Sequence, residues 1–274
     1  MGEDGVKVGG DDRVAIITGG GSGIGEATAK LLAAEGLGVA IVGRTPEKLQ
    51  GVVDEIEASG GRAWAVPADL ADPGAAASIV ERVHEAAGRI DIVVNNAAAI
   101  RVGTIEQFDR DELDRHLATN IRSPFLLVSE ALPYLRQSPA AAVVNISSTI
   151  GSPLVKPGNV VYGLTKASLE YFTRAAAHEL SVYGIRVNCV SPGSVVTPIH
   201  LEWAGDLEYA KEHLKERIPL GRMGEPEEIA IWIWQLVRPE TVWCTGATIH
   251  VDGGQALGLP EELPEDLPSA AAEG

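Results

Sequence analysis

Short apolar runs rich in β-branched residues recur along the chain: "RVAIIT", "GVAIVG", "IDIVVNN", "AAVVNIS" and "GIRVNCV". Between them lie longer stretches of Ala, Leu and Glu whose apolar positions repeat at helical spacing. This alternation predicts βαβ units, and hence an α/β fold with a mostly parallel, doubly wound sheet and helices on both faces. Seven strands are expected, near 13–18, 38–43, 62–67, 91–95, 141–147, 185–190 and 247–251. The helical stretch at 110–136 contains Pro124 and Pro133, which should kink it or end it early. From 198 to 225 the segment "PIHLEWAGDLEYAKEHLKERIPLGRMGE" is too long for an ordinary connection and reads as a lid with short helices. Residues 1–11 and 259–274 are rich in Gly, Pro and acids and are expected to be disordered tails, leaving one domain over 12–258.

Composition narrows the function classes. At 274 residues and 45% apolar, the chain can bury a core without staples. It has no run of 18 apolar residues and no basic-then-apolar start, so neither a membrane span nor a secretory signal is expected and cytoplasm is the default. A net charge of −16 repels phosphate backbones and anionic lipids, which excludes nucleic acid and membrane surfaces as partners. Cys189 and Cys244 are far apart and lack ligand spacing, which points to buried small hydrophobes rather than a disulfide or metal site.

The first predicted strand runs into "TGGGSGIG", Thr18 to Gly25, and a helical pattern follows. Glycines there permit positive φ and close backbone approach, so that a helix N-terminus can face a pyrophosphate. The spacing Gly19-x-x-x-Gly23-x-Gly25 differs from G-x-G-x-x-G and resembles the TGxxxGIG fingerprint of the short-chain dehydrogenase/reductase family. The likeness runs from about 12 to 255 and rests on several independent motifs. It implies a single-domain Rossmann fold and a dinucleotide held by Gly19, Ser22, Gly23, Ile24 and Gly25. In "ADLAD" it places Asp69 on the adenine ring with Leu70 beside it. In "NNAA" it matches Asn95 and puts Asn96 and Ala97 beside the cofactor, with Ala98 where the family usually has Gly. In "SPGSVVT" it has Pro192 and Gly193 shape a turn, Val195 contact the cofactor and Thr197 bind the nicotinamide carboxamide. The closing "TGATIHVDGG" looks like the family's last strand and turn.

At the end of the second strand, Gly43 stands where an acid would bind a ribose 2′-hydroxyl, and Arg44 follows. A guanidinium can bind phosphate through two parallel bonds, which favours NADP(H). Ser22, where many NADP users carry a second basic residue, keeps NAD(H) open.

A reductase needs a proton donor beside the carbonyl oxygen. "VVYGLTK" offers Tyr162 and Lys166 one helical turn apart, a pairing that chance alone would give roughly once in eight such chains. A free tyrosine titrates near about 10. Lys166 and the positive nicotinamide should lower that value. The resemblance assigns Lys166 to the nicotinamide ribose as well, and assigns Ser148 in "NISSTIGS", with Ser147 as runner-up, to the substrate oxygen. It gives Asn120 in "ATNIRSP" a water on the proton relay. Ile100, Ser152, Leu154, Val155, Ser194, Val195 and the lid are expected to line the substrate pocket, and Trp203 and Tyr209 are candidates for its wall.

The remaining histidines divide between the lid, with His200 and His213, and element surfaces, with His84, His116, His178 and His250. Trp232 and Trp234 fall on opposite sides of a helix, so at least one should face the core or a subunit; Arg101 reads either as a contact for an acidic substrate or as a solvated loop charge. The leading expectation is an NADP(H)-dependent ketoreductase acting on a small carbonyl or alcohol substrate, similar to the 3-oxoacyl carrier-protein reductase branch. An NAD-dependent alcohol dehydrogenase and a non-catalytic dinucleotide-binding regulator are the competing readings. The resemblance also implies a homo-oligomer, a tetramer or dimer, built through helices near 110–136 and 160–183.

Overall fold

The structure is a computed structural model, and it describes residues 12–198 and 206–259. The two tails expected to be disordered, with His200 and Trp203 of the lid, lie outside the described residues apart from Leu259. Seven strands form one parallel sheet: β1 (Val14–Thr18), β2 (Gly38–Gly43), β3 (Arg62–Pro67), β4 (Ile92–Asn95), β5 (Ala142–Ile146), β6 (Arg186–Pro192) and β7 (Thr248–Val251). Their order is β3-β2-β1-β4-β5-β6-β7, so the direction of winding reverses between β1 and β4. In such sheets that switch point opens a crevice at the carboxyl ends of the strands. Each strand lies within two residues of its expected limits, with β6 continuing to Pro192.

The helices are α1 (Gly23–Ala34), α2 (Pro46–Ala58), α3 (Ala75–Ala87), α4 (Arg110–Leu117), α5 (Ser123–Leu135), α6 (Val160–Leu180), α7 (Leu207–Lys215) and α8 (Pro226–Val237). Alternation along the strands sends Val14 and Ile16 of β1 to one face and Ala15 and Ile17 to the other. The first face packs on α3, α5 and α6 through residues such as Ile79, Leu127 and Ala176. The second packs on α1, α2 and α8 through Leu32, Val52 and Ile233. With helices on both faces, the central strands are buried on both sides, which explains their largely apolar runs.

The stretch 110–136 departs from expectation in detail. It breaks at a π-helical turn, Ala118–Arg122, between α4 and α5, while Pro133 lies inside α5 without ending it. Pro124, in the first turn of α5, has no N–H to close an α-helical bond to the Asn120 carbonyl, so the wider turn forms there. Among the described residues, no helix is long and apolar enough to cross a membrane. His116 is a second correction: it is only 4% exposed, because Phe108 packs edge-on against it and its Nδ1–H donates to the Glu112 carbonyl at 2.7 Å. Trp234 packs on the core while Trp232 is exposed, as the helical period requires. Cys189 is buried and Cys244 half-buried, both free thiols.

Candidate active site

The turn after β1 is built for close approach. Gly19 and Gly23 have φ of +69° and +55°, where a side chain would be strained. Gly25 is held for a different reason: a Cβ there would lie 2.2 Å from the Gly19 carbonyl oxygen. The turn thus folds flat on the start of α1, and Ser22 caps that helix by backbone geometry alone, with its hydroxyl making no cap bond. Thr18 anchors the facing segment, since its Oγ1 accepts from the N–H groups of Asn96 at 2.9 Å and Ala97 at 3.0 Å. The Asn96 side chain donates to the Thr18 carbonyl at 2.8 Å, so its amide braces the cradle. These observations fit a dinucleotide: a glycine cradle opening onto a helix N-terminus, at the switch point of the sheet.

One cleft of about 1470 Å³ joins this cradle to the catalytic candidates. Gly19, Ser22, Gly23, Ile24, Arg44, Asp69, Leu70, Asn96, Ala97, Pro192, Gly193, Val195 and Thr197 line it, with Ser148, Tyr162 and Lys166. Gly25 and Asn120 lie behind its wall, both buried. Of the expected pocket residues, Ile100, Leu154, Val155, Ser194 and Val195 line the cleft; Ser152 does not, and Tyr209 instead stacks on His213, which does. Lys48, unremarked in the sequence, also lines the cleft: α2 brings it against the glycine turn, its Cβ 3.3 Å from where a side chain on Gly21 would start.

Ser148 and Tyr162 come together because the end of β5 is clamped to β6 and to α6. Ser147 N–H and Thr149 N–H bond the Val190 and Pro192 carbonyls at 2.8 and 3.0 Å. Ser147 is consumed by structure, its hydroxyl reaching Glu170 Oε1 at 2.9 Å and the Lys166 carbonyl at 3.1 Å. The Ser148 hydroxyl, which accepts from the Ile150 N–H at 3.1 Å, is the one near enough to Tyr162 to favour its phenolate. A further polar ladder fixes α6 in register: Asn95 Nδ2 donates to Asn145 Oδ1 at 2.8 Å, and Asn145 Nδ2 to Thr173 Oγ1 at 2.9 Å.

The electrostatics differ from the expectation at Tyr162. Its pKa is raised to about 12, chiefly because burial penalises the phenolate, against which the Ser148 hydrogen bond pulls weakly. Burial also lowers Lys166 to about 8. Lys166 Nζ donates to the Ile146 carbonyl at 2.6 Å and sits 5.5 Å from the Tyr162 ring centre. The chain by itself therefore keeps the phenol protonated at neutral pH, and any lowering must come from a positive charge brought by the cofactor. Asn120 is fixed within the protein. Its side chain is occupied, Oδ1 accepting from Ala99 N–H at 2.7 Å and Nδ2 donating to Ala99 O and Thr165 Oγ1 at 2.9 and 3.0 Å.

Comparison with known proteins agrees with this geometry. The family model described as enoyl-(acyl carrier protein) reductase matches residues 19–256. An uncharacterised oxidoreductase of Mycobacterium tuberculosis is 38% identical over 245 residues, 89% of this chain and 92% of its own. The 3-oxoacyl-(acyl-carrier-protein) reductase FabG of Staphylococcus aureus is 34% identical over 244 residues, covering 89% of this chain and 98% of its own. Among solved structures, a short chain dehydrogenase from Burkholderia cenocepacia in complex with NADP superposes with a TM-score of 0.83 at 34% identity, covering 89% of this chain and 98% of that one. The short-chain dehydrogenase/reductase of Serratia marcescens gives the same TM-score, identity and coverage. The glycine cradle, the Ser148–Tyr162–Lys166 cluster and these full-length matches agree that this chain belongs to the short-chain dehydrogenase/reductase family of oxidoreductases.

Proposed function

We propose that the chain is an NADP(H)-dependent carbonyl reductase or secondary-alcohol dehydrogenase with Tyr162 as general acid and base. The observation that carries this reading is the buried Tyr162, which lines the same cleft as Ser148, Lys166 and the glycine cradle. The nicotinamide, when bound, supplies the hydride to the carbonyl carbon. Ser148 donates to the substrate oxygen, and Tyr162 delivers the proton that completes the alcohol, so the C=O π bond gives way to one C–H and one O–H bond. Lys166 keeps N–H groups beyond the one given to Ile146, and they suit a ribose hydroxyl.

For the cofactor, Arg44 stands exposed at the end of β2, Lys48 flanks the glycine turn, and no acid occupies position 43. Two cations without a carboxylate there favour a 2′-phosphate over a bare ribose. The NADP bound by the Burkholderia cenocepacia relative is in line with this preference. The test is kcat/KM with NADPH and NADH over a carbonyl panel. NADPH should win, and Arg44→Ala should cost about tenfold or more with NADPH while sparing NADH. A clear NADH preference in the native chain would overturn the cofactor assignment in favour of an NAD-dependent dehydrogenase.

A further inference from the structure

The segment 192–197 runs along the cleft between the proton-transfer cluster and the glycine cradle. At the first, the Thr149 N–H, next to Ser148, donates to the Pro192 carbonyl at 3.0 Å. At the second, a Cβ on Gly23 would lie 3.1 Å from Thr197 Cγ2, so Thr197 packs against the cradle. Pro192, Gly193, Ser194, Val195 and Thr197 all line the cleft. A dinucleotide that reaches from the cradle to Tyr162 passes along this segment, and its nicotinamide half lies there. Whatever holds the segment therefore bears on how that half is seated.

The hold comes from the turn after β7. Gln255 Oε1 accepts from the Ser194 N–H at 2.8 Å, and Gln255 Nε2 donates to Ser194 Oγ at 3.1 Å. One amide thus grips both the main chain and the side chain of a residue in the middle of the segment. The turn that presents Gln255 is itself fixed, since the two carboxylate oxygens of Asp252 accept from the N–H groups of Gly254 at 2.9 Å and Ala256 at 2.8 Å. The Gly193 N–H donates to the Val251 carbonyl at 3.1 Å, and a Cβ on Gly193 would stand 2.8 Å from Gln255 Oε1, so the two turns meet closely. From another direction the Gly224 N–H donates to the Ser194 carbonyl at 3.0 Å. Gln255 also lines the cleft.

We propose that Gln255 is a positioning residue for the nicotinamide half of the cofactor: by holding Ser194 it sets the stretch of cleft wall on which that half lies. The proposal rests on the dinucleotide reading of the cleft and adds to it a residue from the far end of the chain. An apolar side chain at 255 would leave the Ser194 N–H without this acceptor and the segment free to shift. The adenosine end is served by other elements, through Arg44, Lys48 and Asp69 at the ends of β2 and β3 and on α2. Loss of Gln255 should therefore be felt by one half of the cofactor and not by the other.

The test measures dissociation constants by titration calorimetry for NADP⁺ and for 2′,5′-ADP, which has the adenosine half and no nicotinamide, with NAD⁺ and ADP as a second pair. In Gln255→Leu the full dinucleotide should bind about tenfold or more weakly, while its adenosine half binds within about twofold of the native chain. Ser194→Ala keeps the N–H bond and loses only the hydroxyl one, so it should show a smaller loss of the same kind. Added to Gln255→Leu, it should cost little more, because the two residues act through one contact. A defect of the whole fold would weaken both ligands together, so their ratio separates positioning from stability. Equal losses for the two ligands, or no loss for the dinucleotide, would overturn the proposal. If Gln255→Leu does not fold, Ser194→Ala decides by the same ratio. If the native chain binds neither pair, the dinucleotide reading falls, and this inference with it.

Discussion

Tyr162 and Lys166 sit one turn apart on α6, yet burial drives their acidities in opposite directions, to about 12 and about 8. A buried phenol resists losing its proton and a buried ammonium resists keeping its own, because each charged form is poorly solvated. The pair is therefore tuned for donation at neutral pH: the phenol is protonated, and the ammonium is still charged. This carries a pH prediction with a definite sign. The ammonium is the protonated form, so its population falls as pH rises through about 8. The kcat/KM for NADPH, which reports groups of the free enzyme, should be level near neutrality and decline above about pH 8. In Lys166→Arg, whose guanidinium stays charged, any remaining activity should show no such limb. A profile in the native chain that rises through that range would contradict the assignment.

At the scale of elements, the catalytic face of α6 is set by polar bolts to β4 and β5. Asn145 is fully buried between Asn95 and Thr173, and Ser147 reaches Glu170. Asn145→Leu would leave the Asn95 amide without its partner, at a cost of about 1–3 kcal/mol. In a domain of this size that should lower the melting temperature by about 2–12 °C. Scanning calorimetry would measure it, and the ratio of NADPH to NADH efficiency should not move.

These bolts show where sequence reading reaches its limit. Tyr162, Lys166, Ser148 and the glycine turn were legible because each is a local pattern on one element or at its end. The strands were legible for the same reason, as apolar runs buried on both faces. Glu170, Asn145 and Thr173 were not, because their meaning lies in partners 23, 50 and 28 residues away that only the sheet order brings together. Lys48 and Gln255 were hidden likewise: each is an ordinary polar side chain of a helix or turn until the fold brings it to the cleft. The burial that raises the Tyr162 pKa in the chain alone was hidden too, because its sequence neighbourhood names Lys166 and is silent about burial.

For the whole molecule, several of the described elements carry exposed apolar residues. Phe125 of α5 and Val160, Leu164 and Tyr171 of α6 are all about half exposed or more, on the helices through which association was expected. Exposed apolar residues on these helices suit association, and a second copy of the chain is the proposed occupant. Light scattering should give a dimer or tetramer for the native chain and a smaller species for Phe125→Glu combined with Leu164→Glu. A native monomer at micromolar concentration would contradict self-association.

The claim on which the rest depends is that the molecule as a whole gathers a dinucleotide, a carbonyl and one proton donor in a single cleft. Its most direct test follows NADPH consumption on a carbonyl compound that the native chain reduces, beside Tyr162→Phe at equal NADPH occupancy. The variant keeps the ring and loses only the hydroxyl, so it should bind NADPH as before and lose about 10²–10⁴-fold in kcat. Full turnover by Tyr162→Phe would contradict the account.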